Sequence, residues 1–123
     1  MKLQPKISDA EWEIMKLLWA SHPQTANELV EALEHTKHWK PKTIKTLINR
    51  LLTKEAIAFE KNGRQYLYSP LVAEKTCIQS ESRSFLKRVF NGAAKPMLAA
   101  MIESDDLSLD DIEELKKILK KKK

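Results

Sequence analysis

The chain has few of the residues that break helices or form covalent cross-links. Its 123 residues include two glycines, five prolines and one cysteine. A single cysteine, Cys77, excludes an internal disulfide framework and a cysteine-based zinc finger. No apolar run approaches the roughly 20 residues that span a bilayer, and the start, MKLQPKISDAEW, lacks the apolar segment of a signal peptide. The sequence therefore predicts a mainly helical, cytoplasmic protein.

Acidic residues are scarce in one part of the sequence. The whole chain has a formal charge of +5. Residues 35–64 hold eight basic and two acidic side chains, so their net charge of +6 exceeds that of the whole chain. A concentration of positive charge favours a polyanionic partner.

Two capping boxes predict the first two helices. Ser8 is followed three residues later by Glu11, and Thr25 is followed by Glu28 at the same spacing. In this motif the hydroxyl and the carboxylate satisfy backbone N–H groups that the first helical turn leaves unpaired. Apolar residues recur at helical spacing after each motif. We therefore expect one helix to about Ala20 and a second helix after Thr25, joined by a short connector or a brief strand.

The third predicted helix has an apolar face and a cationic face. It begins near Pro41, a residue that suits the first turn of a helix, and ends near Lys54. Lys40 stands at the N-cap, where Ser, Thr or Asp is usual. The apolar stripe, at spacing i, i+3, i+4, i+7 and i+8, consists of Ile44, Leu47, Ile48, Leu51 and Leu52. The opposite face contains no acid and consists of Lys42, Thr43, Lys45, Thr46, Asn49 and Arg50.

A change of period after the third helix predicts a β-hairpin. Asn62-Gly63 lies between two alternating segments and is a strong signal for a two-residue turn, and Pro70 closes the second strand. An all-helical alternative fails at NGRQYLY, which is poor helix material. Three helices followed by a basic-tipped hairpin predict a winged helix-turn-helix domain over residues 1–71.

Residues 72–123 are predicted to form three further helices and a second domain. So few short helices cannot bury their apolar side chains alone, and a second copy of the chain is the simplest partner. The residues assigned to this dimer interface are Ile78, Phe85, Leu86, Val89, Phe90, Leu98, Ile102, Ile112, Leu115 and Leu119. The predicted fold class is mainly α with a small β-hairpin wing, in which a C-terminal helical dimerisation region follows the winged helix-turn-helix.

The acid-free face of the third helix indicates binding to double-stranded DNA. Lysine and arginine neutralise phosphates and release condensed counterions, whereas short polar side chains reach base edges or phosphates. A lone basic face is often merely solvated, but here the order of elements and the basic wing agree with it. The predicted DNA-binding residues are Trp39, Lys40, Lys42, Thr43, Lys45, Thr46, Asn49, Arg50, Lys61 and Arg64.

Other functions are less well supported by the sequence. A winged-helix module that binds an acidic protein partner is the main alternative to DNA binding. A nuclease is disfavoured because no metal-binding or nucleophilic constellation is present. His35 and His38 lack a third ligand, so we expect no metal site and no cofactor. Cys77 is most simply a packed small residue, with a redox switch as the alternative.

Four blocks of the sequence resemble the penicillinase repressor family of the BlaI/MecI type. They are ISDAEWEIMKLLW, WKPKTIKTLINRLLTKEAI, SFLKRVFNG and LSLDDIEELKKIL, and the resemblance extends over nearly the whole chain. It implies a homodimeric repressor that inserts two third helices into successive major grooves of a dyad-symmetric operator. The regulated genes would encode a β-lactamase or related resistance proteins, with unrelated stress genes as the alternative.

The sequence departs from the family pattern at two places. Lys45 stands where the family often has Arg, and Lys40 where it has Ser, so the operator preference is expected to differ. Well-known members are inactivated by proteolysis at an Asn-Phe bond, and the matching residues here are Ala100 and Met101. The resemblance implies a membrane sensor-protease as a further partner and Ala100-Met101 as the regulatory cleavage position, whereas the changed residues at that position disfavour induction by this protease.

Overall fold

The computed structural model describes residues 4–122. Residues 1–3 and 123, which the predicted domain limits include, lie outside the described residues. The helices are α1 (Asp9–Ala20), α2 (Ala26–Lys37), α3 (Pro41–Thr53), α4 (Glu74–Phe90), α5 (Ala94–Glu103) and α6 (Leu109–Lys121). The strands are β1 (Gln24–Thr25), β2 (Ile57–Asn62) and β3 (Gln65–Pro70). The fold is therefore mainly α with a β-hairpin wing, as the sequence predicts.

Side-chain caps fix the starts of α1 and α2. The Glu11 backbone N–H donates to Ser8 Oγ at 3.2 Å, and the Ser8 N–H donates to the Glu11 carboxylate at 2.8 Å. Thr25 and Glu28 exchange the same two bonds at the start of α2. Both capping boxes are thus confirmed, and Ser108 caps α6 in the same way.

The strands form one antiparallel sheet in the order β1-β3-β2. The brief strand expected between the first two helices is β1, whose Gln24 and Thr25 pair with Tyr68 and Leu67 of β3. The hairpin of β2 and β3 extends beyond β1 and forms the wing. Because β1 directly precedes α2, its pairing with β3 attaches the base of the wing to the helical part of the domain.

The predicted position of the wing turn is wrong by one residue. Asn62 pairs with Gln65, so the two turn residues are Gly63 and Arg64 instead of Asn62 and Gly63. Gly63 has φ +65°, in the region that glycine adopts without a steric penalty. A glycine at the first central position is typical of a type II′ turn, which suits the twist of the two strands. The glycine, and not the asparagine before it, therefore determines where the chain reverses.

One apolar core joins the first three helices and the sheet. Its side chains come mainly from α1, α2, α3 and the inner ends of β2 and β3. Burial of each large aliphatic side chain contributes about 1.5–3 kcal/mol. The buried apolar residues are Ile7, Ile14, Met15, Leu18, Leu29, Leu33, Ile44, Leu47, Ile48, Leu51, Ala56, Ile57, Tyr68 and Cys77. The predicted stripe of α3 is therefore buried, with Leu52 packed against the edge of the core.

The chain divides into two compact units within α4. Residues up to Ile78 form the first unit, and residues from Gln79 form the second. No residue from Gln79 to Lys122 is buried. None of the helices within residues 4–122 has the length and apolar character needed to cross a bilayer. The predicted domain limits of 1–71 and 72–123 stay a prediction.

Candidate nucleic-acid interface

The outer face of α3 is uniformly polar and has no acid. The six residues that the sequence assigns to this face are all exposed. Ile44, Leu47 and Ile48, which alternate with them at helical spacing, are buried in the core. Packing on the inner side thus holds the cationic side toward solvent, where a polyanion can reach it.

The first turn of α3 has no side-chain cap. Lys40 occupies the N-cap and makes no capping hydrogen bond, and Pro41 follows at the first helical position. Trp39 packs against the core just before this turn. An uncapped helix N-terminus carries partial positive charge and free backbone donors, which complement a phosphate. The start of α3 therefore adds to the cationic character of its side chains.

The two predicted recognition threonines differ in their hydrogen bonding. Thr46 Oγ1 donates to the Lys42 carbonyl oxygen at 3.0 Å, one turn earlier in α3. The Thr43 hydroxyl makes no hydrogen bond with any residue in the described range. The Thr43 hydroxyl is therefore free to donate a hydrogen bond to a base or phosphate. The Thr46 hydroxyl can accept a hydrogen bond while it still donates to the Lys42 carbonyl oxygen.

Two of the eight basic residues in the segment 35–64 are paired with acids of α1. Lys54 Nζ forms an ion pair with Glu11, and Lys37 Nζ lies 3.7 Å from Glu13. A charge count over residues 35–64 does not reveal these pairs, because both acids lie in a distant segment of the sequence. The six remaining basic residues have no ion pair within residues 4–122 and are Lys40, Lys42, Lys45, Arg50, Lys61 and Arg64.

The pKa values of the two paired glutamates of α1 lie below their ordinary value. Burial raises the pKa of the Glu11 carboxyl, but hydrogen bonds from Lys54 and Ser8 outweigh it, so the pKa lies below its ordinary value. The hydrogen bond from Lys16 lowers the pKa of Glu13, and Lys37 adds to the effect. Both carboxylates are therefore ionised at neutral pH. Glu11 neutralises Lys54, whereas Glu13 shares its single charge between Lys16 and Lys37.

The wing presents aromatic and basic side chains together. Lys61 and Arg64 lie at its outer end and are exposed. Beside them the rings of Phe59 and Tyr66 lie 4.5 Å apart, centroid to centroid, and are 47% and 44% exposed. This pair was not predicted from the sequence, although Phe59 and Tyr66 share a face through the cross-strand pairing of Lys61 with Tyr66. Stacked rings stiffen a hairpin by filling the space between neighbouring cross-strand positions.

A polar groove of about 180 Å³ lies between the wing and the first turn of α2. Thr25 and Asn27 line one side, while Arg64, Gln65 and Tyr66 line the other. The groove places the guanidinium-bearing side chain of Arg64 near the start of α2. Arg64 of the wing and the first turn of α2 thus line the same groove.

Cys77 and the histidines are not gathered into a site. Cys77 is buried, its thiol lies 3.9 Å from Gln4 Oε1, and burial raises its pKa. His35 and His38 are exposed at the end of α2. Among residues 4–122, no group of three His, Cys, Asp or Glu side chains is placed to hold a metal ion. Cys77 is thus a poor nucleophile in this environment, because the thiolate is the reactive form.

The cleavage position implied by the family resemblance lies inside α5. The Ala100 carbonyl oxygen, which belongs to the peptide bond with Met101, accepts bonds from the Ser104 N–H at 3.1 Å and Ser104 Oγ at 2.9 Å. A protease requires an extended backbone, so the last turn of α5 must open before this bond can be cut.

The residues assigned to the dimer interface are spread along α4, α5 and α6. Leu86, Phe90 and Ile112 are partly buried. The other seven are 40% or more exposed and are Ile78, Phe85, Val89, Leu98, Ile102, Leu115 and Leu119. A large apolar surface is therefore left uncovered in a single chain.

Comparisons with known proteins cover both units. A family model described as penicillinase repressor matches residues 7–121. The penicillinase repressor of Bacillus licheniformis is 42% identical over 123 residues, or 100% of this chain and 96% of that protein. The methicillin resistance regulatory protein MecI of Staphylococcus aureus strain N315 is 39% identical over 117 residues, or 95% of each. The solution structure of monomeric Bacillus licheniformis BlaI in complex with the blaP half-operator is 43% identical, has a TM-score of 0.54, and matches 61% of this chain and 92% of that one.

Proposed function

This chain belongs to the penicillinase repressor family, and from that membership we propose that it is a transcriptional repressor that binds operator DNA. The family consists of repressors and not of enzymes. The observation that carries the proposal is the face of α3, where Lys42, Lys45 and Arg50 are exposed and have no ion pair within the described residues. Such cations release counterions from DNA when they neutralise phosphates.

The proposed binding mode places α3 in the major groove. Its exposed side chains then face base edges, and short polar groups such as Thr43 and Asn49 can read them. Lys61 and Arg64, on the wing, would contact the flanking backbone, and Trp39 and Lys40 would lie at the start of the reading helix. A promoter covered in this way is closed to the transcription machinery, which is how the repressor would act.

A homodimer is the second part of the proposal. No side chain from Gln79 to Lys122 is buried, although α4, α5 and α6 all carry large apolar residues. A second copy of the chain would cover these residues by symmetric packing. Two α3 helices held in this way would read half-sites about 34 Å apart, one turn of the double helix.

The regulated genes and the signal are proposed from the relatives alone. Since those relatives are named for penicillinase repression and methicillin resistance, we propose β-lactamase or related resistance genes as targets. A membrane sensor-protease that cuts at Ala100-Met101 is the proposed means of release, and the cytoplasm, where the operator lies, is the proposed location.

Selection from a randomised DNA duplex pool tests the proposed function. The pool should be long enough to contain two half-sites about 10 base pairs apart. The wild-type chain is expected to enrich a dyad-symmetric sequence, and the K42A/K45A variant to enrich none. The K116A/K117A variant removes the same charge from α6 and is expected to behave like the wild type. A wild-type chain that retains no duplex but captures an acidic protein would support the interaction-module alternative instead.

A further inference from the structure

We propose that Lys54 is a positioning residue: its ion pair with Glu11 fixes the end of α3 on α1 and thereby sets the angle at which the cationic face meets DNA. Lys54 itself would not contact phosphate, although it belongs to the most basic segment of the sequence. The inference rests on the proposed function, because the angle of α3 matters only if α3 reads DNA.

The contacts of Lys54 tie two distant segments together. Lys54 is the C-cap residue of α3, and its Nζ donates to Glu11 and to the Lys6 carbonyl oxygen at 2.7 Å. Both acceptors belong to the segment that begins α1. Two donor bonds from one ammonium restrain direction as well as distance, so the last turn of α3 cannot slide along α1.

A single carboxylate oxygen joins the cap of α1 to this contact. Glu11 Oε1 accepts the Ser8 N–H at 2.8 Å and also accepts Lys54 Nζ. The start of α1 and the end of α3 therefore share one acceptor atom. Any shift of α3 relative to α1 would break either the cap or the ion pair. The orientation of α3 is therefore coupled to the capped start of α1.

The burial of Glu11 creates the need for a cation at position 54. The Glu11 side chain is 1% exposed and that of Lys54 is 34% exposed. A buried carboxylate is strongly unfavourable without a cationic partner. The positive charge of Lys54 is therefore held by Glu11, and the neutral pair attracts a phosphate far less than an unpaired lysine does. Lys45, which belongs to the same basic segment, is exposed and has no ion pair with an acid within residues 4–122.

Salt dependence separates a positioning lysine from one that contacts phosphate. Binding to the selected duplex and to a random duplex is measured over a range of salt for the wild type, K45Q and K54Q. K45Q is expected to reduce the slope of log affinity against log salt by about 0.9 for each bound copy. K54Q is expected to keep the wild-type slope and to lose about tenfold in the ratio of selected to random affinity. K54R, which can still pair with Glu11, is expected to retain most of that ratio.

A control for stability keeps the test decisive. K54Q leaves the Glu11 carboxylate without its partner, so E11Q/K54Q, which has no buried charge, is measured beside it. Each affinity is calculated from the concentration of folded protein, which urea unfolding determines for each variant. An equal loss of slope in K54Q and K45Q would overturn the inference, and so would an unchanged ratio of selected to random affinity in K54Q and E11Q/K54Q. A wild-type chain that binds neither duplex would instead overturn the proposed function and the inference with it.

Discussion

The indole Nε1 of Trp19 donates a hydrogen bond of 2.9 Å to the carbonyl oxygen of Val72, which is 53 residues further along the chain. Trp19 belongs to the last turn of α1, and Val72 lies between β3 and α4. The chain that leaves the wing is therefore fastened to α1 before α4 begins. Trp12 supports this contact, because its ring packs edge-on against Trp19 with a centroid distance of 5.5 Å.

Replacement of Trp19 by Phe should destabilise the first unit. The variant keeps an aromatic ring but removes the donor, which leaves the Val72 carbonyl without its partner. We expect the free energy of unfolding in urea to fall by about 1–2 kcal/mol. W12F is the matched control, since the Trp12 indole N–H makes no hydrogen bond in the described part of the chain. Equal losses in the two variants would contradict an energetic role for the Trp19–Val72 bond.

The Glu11–Lys54 pair should make the free energy of unfolding depend on pH in the acidic range. The folded pKa of Glu11 lies below its ordinary value of 4.5. Its contribution is therefore complete above about pH 4.5 and is lost as the pH falls through the folded value. E11Q should lower the free energy of unfolding by about 1–3 kcal/mol at neutral pH, and the difference from the wild type should shrink in acid.

The adjacent Glu13 provides the control for this titration. Its partners Lys16 and Lys37 are well exposed, so its ion pairs are screened by water. E13Q should change the unfolding free energy by less than about 1 kcal/mol at neutral pH. If E11Q and the wild type kept a constant difference from neutral to acid pH, the lysine-paired carboxylate would not be its source.

A charge in the apolar surface of α6 should break the proposed dimer. Leu115 is 44% exposed in the single chain. In Leu115→Asp the carboxylate would have to be buried without a partner, which should raise the dimer Kd at least a hundredfold, about 3 kcal/mol. Light scattering at micromolar concentration should give a dimer mass for the wild type and a monomer mass for this variant.

Lys117→Asp tests whether the effect is specific to the apolar surface. It introduces the same carboxylate two residues away, at an exposed polar position of α6, and should leave the mass unchanged. A wild-type chain that is monomeric under these conditions would remove the dimer from the account, while the properties of α3 would stand unchanged.

Local features of the fold could be predicted from the sequence, and long-range contacts could not. The boxes of Ser8 and Thr25 and the apolar stripe of α3 depend on residues at most eight positions apart, so their pattern is visible in the chain. The exact turn of the wing was missed because Asn62-Gly63 and Gly63-Arg64 are both plausible hairpin pairs. The strand register, which places Asn62 opposite Gln65, decides between them.

The pairing of two lysines in the segment 35–64 could not be predicted for the same reason. Lys54 and Glu11 are 43 residues apart in sequence, so a count over residues 35–64 cannot reveal that they neutralise each other. Lys42 and Lys45, by contrast, could be identified correctly as exposed, because their position opposite Ile44 and Leu47 follows from helical periodicity alone. Whether they contact DNA stays a prediction.

The central claim is that the unpaired cations of α3 neutralise DNA phosphates, and salt dependence measures this directly. The affinity of the wild type, K42Q/K45Q and the α6 control K116Q/K117Q for the selected duplex should be determined between about 50 and 200 mM salt. The account predicts a steep negative slope for the wild type and the control, and a slope smaller by about 1.8 per bound copy for K42Q/K45Q. A wild-type affinity that does not change with salt, or a slope that K42Q/K45Q leaves intact, would contradict it.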